Sequence, residues 1–263
     1  MTPQDVAAGY DRLADDYDAN WLVRLIPVTN RLAAALPERV EGRIIDLGCG
    51  TGYLTATLEQ RYPAATIIGV DISPGMLAEA RKRCDRTELV TGNMLEFLRQ
   101  QPDGSAHLIA SAWAIGYSVP DRVIAESARV LVPGGTLAFT VNYADTLAPV
   151  FRAFRQCLAA YPEKVGKALW PRFPHHRTAV EAMLRRHGLT AELIEEGRLA
   201  VAPPNHETEK LPWLLKTGVI AGFDAVLPLR DDPELAARFE QTLATDSRPI
   251  EHHFITIKGV KPR

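Results

Sequence analysis

Cysteine is scarce: 3 among 263 residues, at Cys49, Cys84 and Cys157, widely spaced and odd in number. That excludes a disulfide framework and the paired spacing of a metal-binding knuckle, so no metal is expected. An excess of one charge is missing too. The 30 basic and 32 acidic residues leave a formal net charge of -2 and a pI near 6.4. No electrostatic footprint for a nucleic-acid backbone or an anionic membrane surface results. No apolar run approaches the roughly 20 residues that span a bilayer. Residues 1–18 carry five acidic side chains and no long apolar stretch, which argues against a signal peptide. A reducing, cytoplasmic setting is the expectation.

What is present reads as an ordinary globular chain, 46% hydrophobic and 24% charged, long enough for one large α/β domain. Its first half alternates strand and helix patterns. Strands are expected at 43–46, 66–71, 87–91, 106–111 and 136–142, with helices at 52–61, 75–84, 94–100 and 121–131 between them. The run Thr66–Asp71 is nearly all apolar, the pattern of a strand buried on both faces. Ser73 and Pro74 form an N-cap and first-turn proline pair. Such alternation implies right-handed crossovers and a doubly wound parallel sheet. The second half is less regular. Helices are expected at 146–161, 178–187 (ending at Gly188) and 233–245, and strands at 189–196, 199–202 and 253–257.

The chemistry concentrates in Asp46-Leu47-Gly48-Cys49-Gly50-Thr51-Gly52, between a buried strand and a helix. Glycine permits a sharp turn and lets a ligand approach without meeting a Cβ. A dinucleotide fingerprint needs G-x-G-x-x-G, and a Walker loop needs a Gly-Lys-Ser/Thr ending. Here the spacing is G-x-G-x-G and residue 53 is Tyr. The turn therefore suits a nucleoside ligand without a pyrophosphate. Asp71 ends the second strand about 20 residues later, where a carboxylate accepts both ribose hydroxyls. Ile72 follows it and can pack on an adenine face.

With these residues in view, the chain resembles the class I S-adenosylmethionine-dependent methyltransferases. The match comprises IIDLGCGTG at 44–52, GVD at 69–71, TGNM at 91–94 and RVLVPGGTL at 129–137. The resemblance is to the small-molecule type, similar to UbiE-like enzymes and malonyl-carrier-protein methyl ester synthases. It implies an α/β, Rossmann-like, doubly wound seven-stranded sheet, mostly parallel with the last strand antiparallel, and helical cap insertions. One domain, 1–263, would comprise an N-terminal helical lid (1–36), a cofactor-binding core (37–143) and caps over the acceptor site (144–176 and 203–247).

The implied cofactor is S-adenosyl-L-methionine. Gly48, Cys49 and Gly50 would contact its methionine part through backbone, and Asp71 its ribose. Asn93 and Met94 would border the adenine, with Ser111 and Ala112 facing the amino group and the sulfonium. Asp46, Gly52, Ile72 and Met76 complete the set. Many family members carry Asp at the position of Asn93, whose amide oxygen can still bond the base. The repeat Tyr10-Asp11 and Tyr17-Asp18 is similar to the opening helix of such enzymes, and Tyr10 and Tyr17 would reach the cofactor carboxylate.

Acceptor residues are expected beyond the carboxyl ends of the strands. Trp113, Tyr117, Arg172 and His206 are the candidate substrate contacts. His175, His176 and Tyr143 are the candidate catalytic groups, since a histidine near its ordinary pKa can deprotonate a hydroxyl or amine. The pair His252-His253 opens a strand and has no obvious partner. The fourth strand continues as Ser111-Ala112-Trp113-Ala114 and not as Asn-Pro-Pro-Tyr, which argues against nucleobase or glutamine methylation. The expected function is methyl transfer to a small molecule at an O, N or C atom. Two alternatives stand beside it: a cyclase-like enzyme that binds the cofactor without transferring methyl, and a non-catalytic nucleoside-binding regulator. The oligomeric state is left open.

Overall fold

A computed structural model describes residues 3–166, 171–201, 210–221, 223 and 226–263. Seven strands form one sheet in the order β3-β2-β1-β4-β5-β7-β6. They are β1 (Arg43–Leu47), β2 (Thr66–Asp71), β3 (Glu88–Thr91), β4 (Ala106–Ala112), β5 (Leu131–Asn142), β6 (Thr190–Ala200) and β7 (Glu251–Val260). Strands β1 to β5 pair in parallel, and β7 runs antiparallel to both β5 and β6. The order reverses beside β1, the switch point at which open α/β sheets place ligands.

Ten helices connect and flank the strands among the described residues: α1 (Pro3–Asp11), α2 (Val23–Ala34), α3 (Tyr53–Arg61), α4 (Pro74–Arg81), α5 (Met94–Arg99), α6 (Pro120–Val130), α7 (Ala148–Ala160), α8 (Arg177–Arg186), α9 (Leu211–Leu214) and α10 (Pro233–Ala244). The two-residue period of each central strand explains the layers. Ile44, Ile67, Leu108 and Ala138 pack under Leu32 of α2 and Leu58 of α3. Their neighbours Ile45, Ile68, Ile109 and Phe139 turn the other way, into a core with Leu98, Ile124 and Leu184 from α5, α6 and α8.

Local chemistry sets the element ends. The Ser73 hydroxyl accepts the Met76 amide at 3.0 Å, capping α4 as its sequence predicts. Gly188, at φ +76°, follows α8 as the expected left-handed stop. Other boundaries moved. Strand β5 begins at Leu131, because that residue already pairs with Ala106 before Pro133-Gly134-Gly135 loops out and pairing resumes at Thr136. The two strands expected at 189–196 and 199–202 are one, β6, laid continuously along β7 with an irregularity between Leu193 and Glu195. The helix expected from Thr146 starts at Ala148, since Leu147 takes a left-handed conformation at φ +50°.

The insertions build a second apolar core. Phe151 and Phe154 of α7, Leu211 and Trp213 of α9, and Leu235 and Phe239 of α10 pack together with Trp21 and Leu25. Part of the expected lid therefore belongs to the body: α2 buries Leu25, Val28 and Leu32. Only the preceding stretch, α1 followed by short helical turns at Ala14–Asp16 and Asp18–Leu22, crosses the carboxyl edge of the sheet. No helix among the described residues is long and apolar enough to cross a membrane.

Candidate active site

A cleft of about 380 Å³ opens beyond the carboxyl ends of β1, β2 and β4. Its size is that of a small-molecule site. Gly48 and Gly50 lie on its floor, at φ +69° and +55°. A Cβ on Gly48 would sit 2.2 Å from the Ala114 Cβ, so the turn can only pass beneath that loop as glycine. Above Gly50 the space is open, with nothing within 4 Å of where a Cβ would stand. A ligand can therefore lie directly against this backbone.

Asp71 holds the turn in place. Its Oδ2 accepts the Gly50 amide at 2.8 Å and its Oδ1 accepts the Ser73 amide at 2.9 Å. Each oxygen keeps a lone pair for a ligand hydroxyl. Desolvation raises the Asp71 pKa, opposed by those backbone hydrogen bonds. Asn93 also lines the cleft, but its oxygen is committed: Oδ1 accepts the Leu95 amide at 2.9 Å and the Glu96 amide at 3.3 Å, capping α5. The expectation of a bond through oxygen is thus corrected. The group left for a base is the amide NH2, a donor. Ile72, Met76 and Met94 supply apolar walls.

The Tyr-Asp repeat divides its labour. Tyr10 and Tyr17 line the cleft with Tyr117; Tyr10 packs edge-on at 6.1 Å from Tyr17 and 6.0 Å from Tyr117. Desolvation raises all three phenol pKa values, so these hydroxyls stay protonated and act as donors. The aspartates latch the segment down. Asp11 accepts the Ser73 hydroxyl at 2.5 Å and the Gly75 amide at 2.8 Å. Asp18 accepts the Thr51 hydroxyl at 2.6 Å and pairs with Arg83. The sequence carried a signal for this latch, two acids each following a tyrosine, but only the fold supplies their partners.

A strap closes the opposite side. The Arg172 amide donates to the Gly116 carbonyl at 3.2 Å, and the Ala144 amide to the Pro174 carbonyl at 2.9 Å. Pro171 and Arg172 thereby line the cleft, facing Ala112, Trp113 and Tyr117 at the end of β4. A smaller recess of about 60 Å³ lies across the glycine turn, lined by Asp46, Cys49, Thr51, Thr29 and Trp113 among others. Asp46 is buried there and accepts the Thr55 hydroxyl at 2.6 Å.

Several sequence candidates lie elsewhere. Ser111 is buried and donates to the Leu47 carbonyl at 2.7 Å, stapling β4 to β1. Gly52 stands at the start of α3 against Ala80 of α4 and Cys84 beyond its end, and lines neither cavity. Tyr143 is buried and donates to Glu196 Oε1 at 2.8 Å. His176 is exposed and caps α8, its Nδ1 accepting the Ala179 amide at 3.2 Å; His175 is exposed beside it. None of His175, His176 and Tyr143 lines the cleft, so the three catalytic assignments are withdrawn. His206 falls outside the described residues. His252, which had no visible role in the sequence, is buried between Trp21 and Trp113 at ring distances of 5.4 and 5.3 Å.

The site can be set beside known proteins. Residues 44–135 match a family model described as a methyltransferase domain. The chain is 36% identical over 238 residues to a trans-aconitate 2-methyltransferase of Methylobacterium nodulans, covering 87% of this chain and 89% of that protein. It is 34% identical over 203 residues to a malonyl-[acyl-carrier protein] O-methyltransferase of Geobacter sulfurreducens, covering 75% of each. Among solved structures, the YcgJ protein of Bacillus subtilis shares the fold, with a TM-score of 0.62 and 18% identity over 90% of this chain and 99% of that one. A geranyl diphosphate C-methyltransferase of Streptomyces coelicolor, determined with S-adenosyl-L-homocysteine, has a TM-score of 0.51 and 14% identity over 89% of this chain and 74% of that one.

The residues in place fit S-adenosylmethionine: open space over Gly50, carboxylate oxygens on Asp71 with lone pairs to spare, and an amide donor on Asn93 between apolar walls. The chain belongs to the S-adenosylmethionine-dependent methyltransferases.

Proposed function

We propose that the acceptor is a small organic acid and that methyl transfer falls on its carboxylate oxygen. The observation that carries this reading is the polar lining around the end of β4. Arg172 and the three desolvated phenols Tyr10, Tyr17 and Tyr117 are present, no His, Lys or Cys lines the cleft among the described residues, and its carboxylates, Asp71 and Glu96, belong to the end of β2 and the first turn of α5. An alcohol or amine acceptor needs a base to take its proton; a carboxylate is already ionised at neutral pH. What it needs is a cation and hydroxyl donors to orient it, and a dry cleft that makes it a better nucleophile. The two relatives point the same way, since trans-aconitate and a malonyl group both carry free carboxylates.

In this reading Arg172 pairs with the acid, and the tyrosine hydroxyls direct the reacting oxygen. Gly48, Gly50, Asp71, Ile72, Met76, Asn93, Met94 and Ala112 hold the cofactor, with the Cys49 backbone and Asp46 behind the turn. Bound S-adenosylmethionine supplies an electrophilic methyl on a sulfonium, which the chain aligns with the acceptor. Residues 3–22 serve as the lid, and the strap with the α7 and α10 layer behind it as the acceptor cap. The balanced charge and the free, buried cysteines support a cytoplasmic setting and an acceptor other than nucleic acid.

The test is incubation of the purified protein with methyl-labelled cofactor and panels of di- and tricarboxylic acids, phenols and amines. The label should enter the acids and leave as methanol in mild alkali, as an ester does. Transfer only into alkali-stable products would refute the carboxylate reading.

A further inference from the structure

Trp113 is one of two non-glycine residues with positive φ among those described, at +67°. A bulky side chain there is strained, and such strain persists only where the surroundings over-determine it. The surroundings are explicit. The Trp113 amide donates to the Thr140 carbonyl at 3.0 Å. Its indole N–H donates to the Thr29 hydroxyl at 3.3 Å, which donates in turn to the Leu25 carbonyl at 3.1 Å. The indole packs 5.3 Å from the Phe254 ring and 5.3 Å from the His252 ring.

His252 is itself fixed. It lies 5.4 Å from Trp21, a member of the insertion core, and its Nδ1 is 3.2 Å from the Thr146 hydroxyl. That hydroxyl also accepts the His253 amide at 3.1 Å, so its proton is free to go to Nδ1. Trp21, His252 and Trp113 thus form a stack from the insertion core to the cleft. Trp113 at its end lines both the cleft and the smaller recess, as do Tyr17, Gly48, Gly50 and Ala112, so it stands where the two meet. Across the β5–β7 pair from Phe254, Asn142 keeps a buried Oδ1 with no hydrogen-bond partner. Ordinary core packing requires neither a strained backbone nor an unsatisfied oxygen beside it.

We infer that Trp113 sets the size limit for the acceptor, and that His252 is a positioning residue holding the indole at that limit. The inference rests on the acceptor end of the cleft lying at the end of β4, as proposed above, and holds for any acceptor chemistry. Packing against Thr29, His252 and Phe254 keeps the indole from retreating into the recess, so an acceptor must fit the space left to it.

The experiment compares wild type with Trp113→Gly, Trp113→Phe, His252→Ala and His252→Phe. Each is given methyl-labelled cofactor and size-graded series of acids, phenols and amines, with S-adenosylhomocysteine affinity measured by calorimetry. Glycine accepts φ +67° freely, so Trp113→Gly loses the wall and the strain together. It should raise kcat/KM for the bulkiest acceptors about tenfold relative to the smallest, the scale on which an apolar pocket discriminates, with cofactor affinity unchanged. Trp113→Phe should shift in the same direction by less and serves if the glycine variant does not fold. His252→Ala should reproduce part of the shift, mainly in acceptor KM, and His252→Phe should restore the wild-type ranking by refilling the stack. An unchanged size ranking in both Trp113 variants would overturn the wall. A shift at Trp113 with none in His252→Ala would overturn the positioning role. Transfer to phenols or amines alone would reject the carboxylate reading and leave the size ranking to be read on those acceptors.

Discussion

The Gly50 amide donates to Asp71 Oδ2 at 2.8 Å, joining the turn after β1 to the end of β2 across the cleft floor. With the Ser73 amide on Oδ1, both carboxylate oxygens face backbone donors. Asp71→Asn must set an NH2 against one of those donors, as well as losing the charge. Hydrogen bonds to a charged group contribute about 1.5–3 kcal/mol. The variant should bind S-adenosylhomocysteine about 10–100-fold more weakly in calorimetry, while keeping its circular dichroism. Unchanged affinity would remove Asp71 from the cofactor site.

Residues 3–22 are held down by two acids, so if this segment closes over the cofactor as proposed, each should control how fast the cofactor leaves. Asp18→Ala frees Thr51 and Arg83, and Asp11→Ala frees Ser73 and the first turn of α4. Cofactor release, followed by stopped-flow, should accelerate in each variant by about tenfold, the effect of roughly 1.4 kcal/mol. Limited proteolysis within residues 3–22 should quicken in parallel. A change in release without a change in protection would mean that the acids act on the cofactor and not on the lid.

Two buried groups give stability opposite pH slopes. Burial pushes the Asp46 carboxyl up to about 7, with the Thr55 hydrogen bond opposing and the Asp71 charge adding. Folded Asp46 therefore holds a proton that the unfolded chain releases. Its contribution is intact below pH 3.8 and is lost as pH rises to about 7. Asp46→Asn, which can still accept from Thr55, should gain on the order of 2–4 kcal/mol over wild type above pH 7 in urea unfolding without cofactor. At pH 4 it should gain little.

His252 works in the other direction. Burial holds its pKa down to about 3 against an ordinary 6.5. The unfolded chain takes up a proton the fold refuses, so stability falls as pH drops from 6.5 towards 3. His252→Phe should flatten that acid limb in the same measurement. An unaltered limb would mean that the imidazole is hydrated in the fold.

Gly116 sets the position of the strap. A Cβ there would lie 2.3 Å from Phe173 Cε1, so Gly116→Ala must push the strap and Arg172 outward. Acceptor KM should rise about tenfold with cofactor affinity preserved. Adding Phe173→Ala to Gly116→Ala should cost nothing beyond Phe173→Ala alone, because the two changes act through one contact.

The floor of the cleft, built on β1, the glycine turn and β2, was largely legible in the sequence. Continuous apolar runs such as Thr66–Asp71, the glycine spacing at 48, 50 and 52, and Asp71 at a strand end are local features, and local features carry their own geometry. Even there, Ser111 proved to be a staple and Asn93 a helix cap, because a side chain's partner is set by what packs opposite. The side of the cleft at the end of β4 was hardly legible. His175 and His176 are candidate bases by residue type, yet they are exposed and outside the cleft, whereas His252 is a buried member of the stack.

By itself, the sequence determined the alternating α/β order, the doubly wound sheet and the glycine turn, since strand and helix periods and the spacing of glycines are written residue by residue. Tertiary structure alone decided that Asp11 and Asp18 latch residues 3–22 onto the sheet's edge, that Phe173 seats on Gly116, and that Trp113 stands strained against His252. Each joins residues 30 to about 140 positions apart. No local pattern encodes such a contact; it forms only when folded layers bring the two surfaces together.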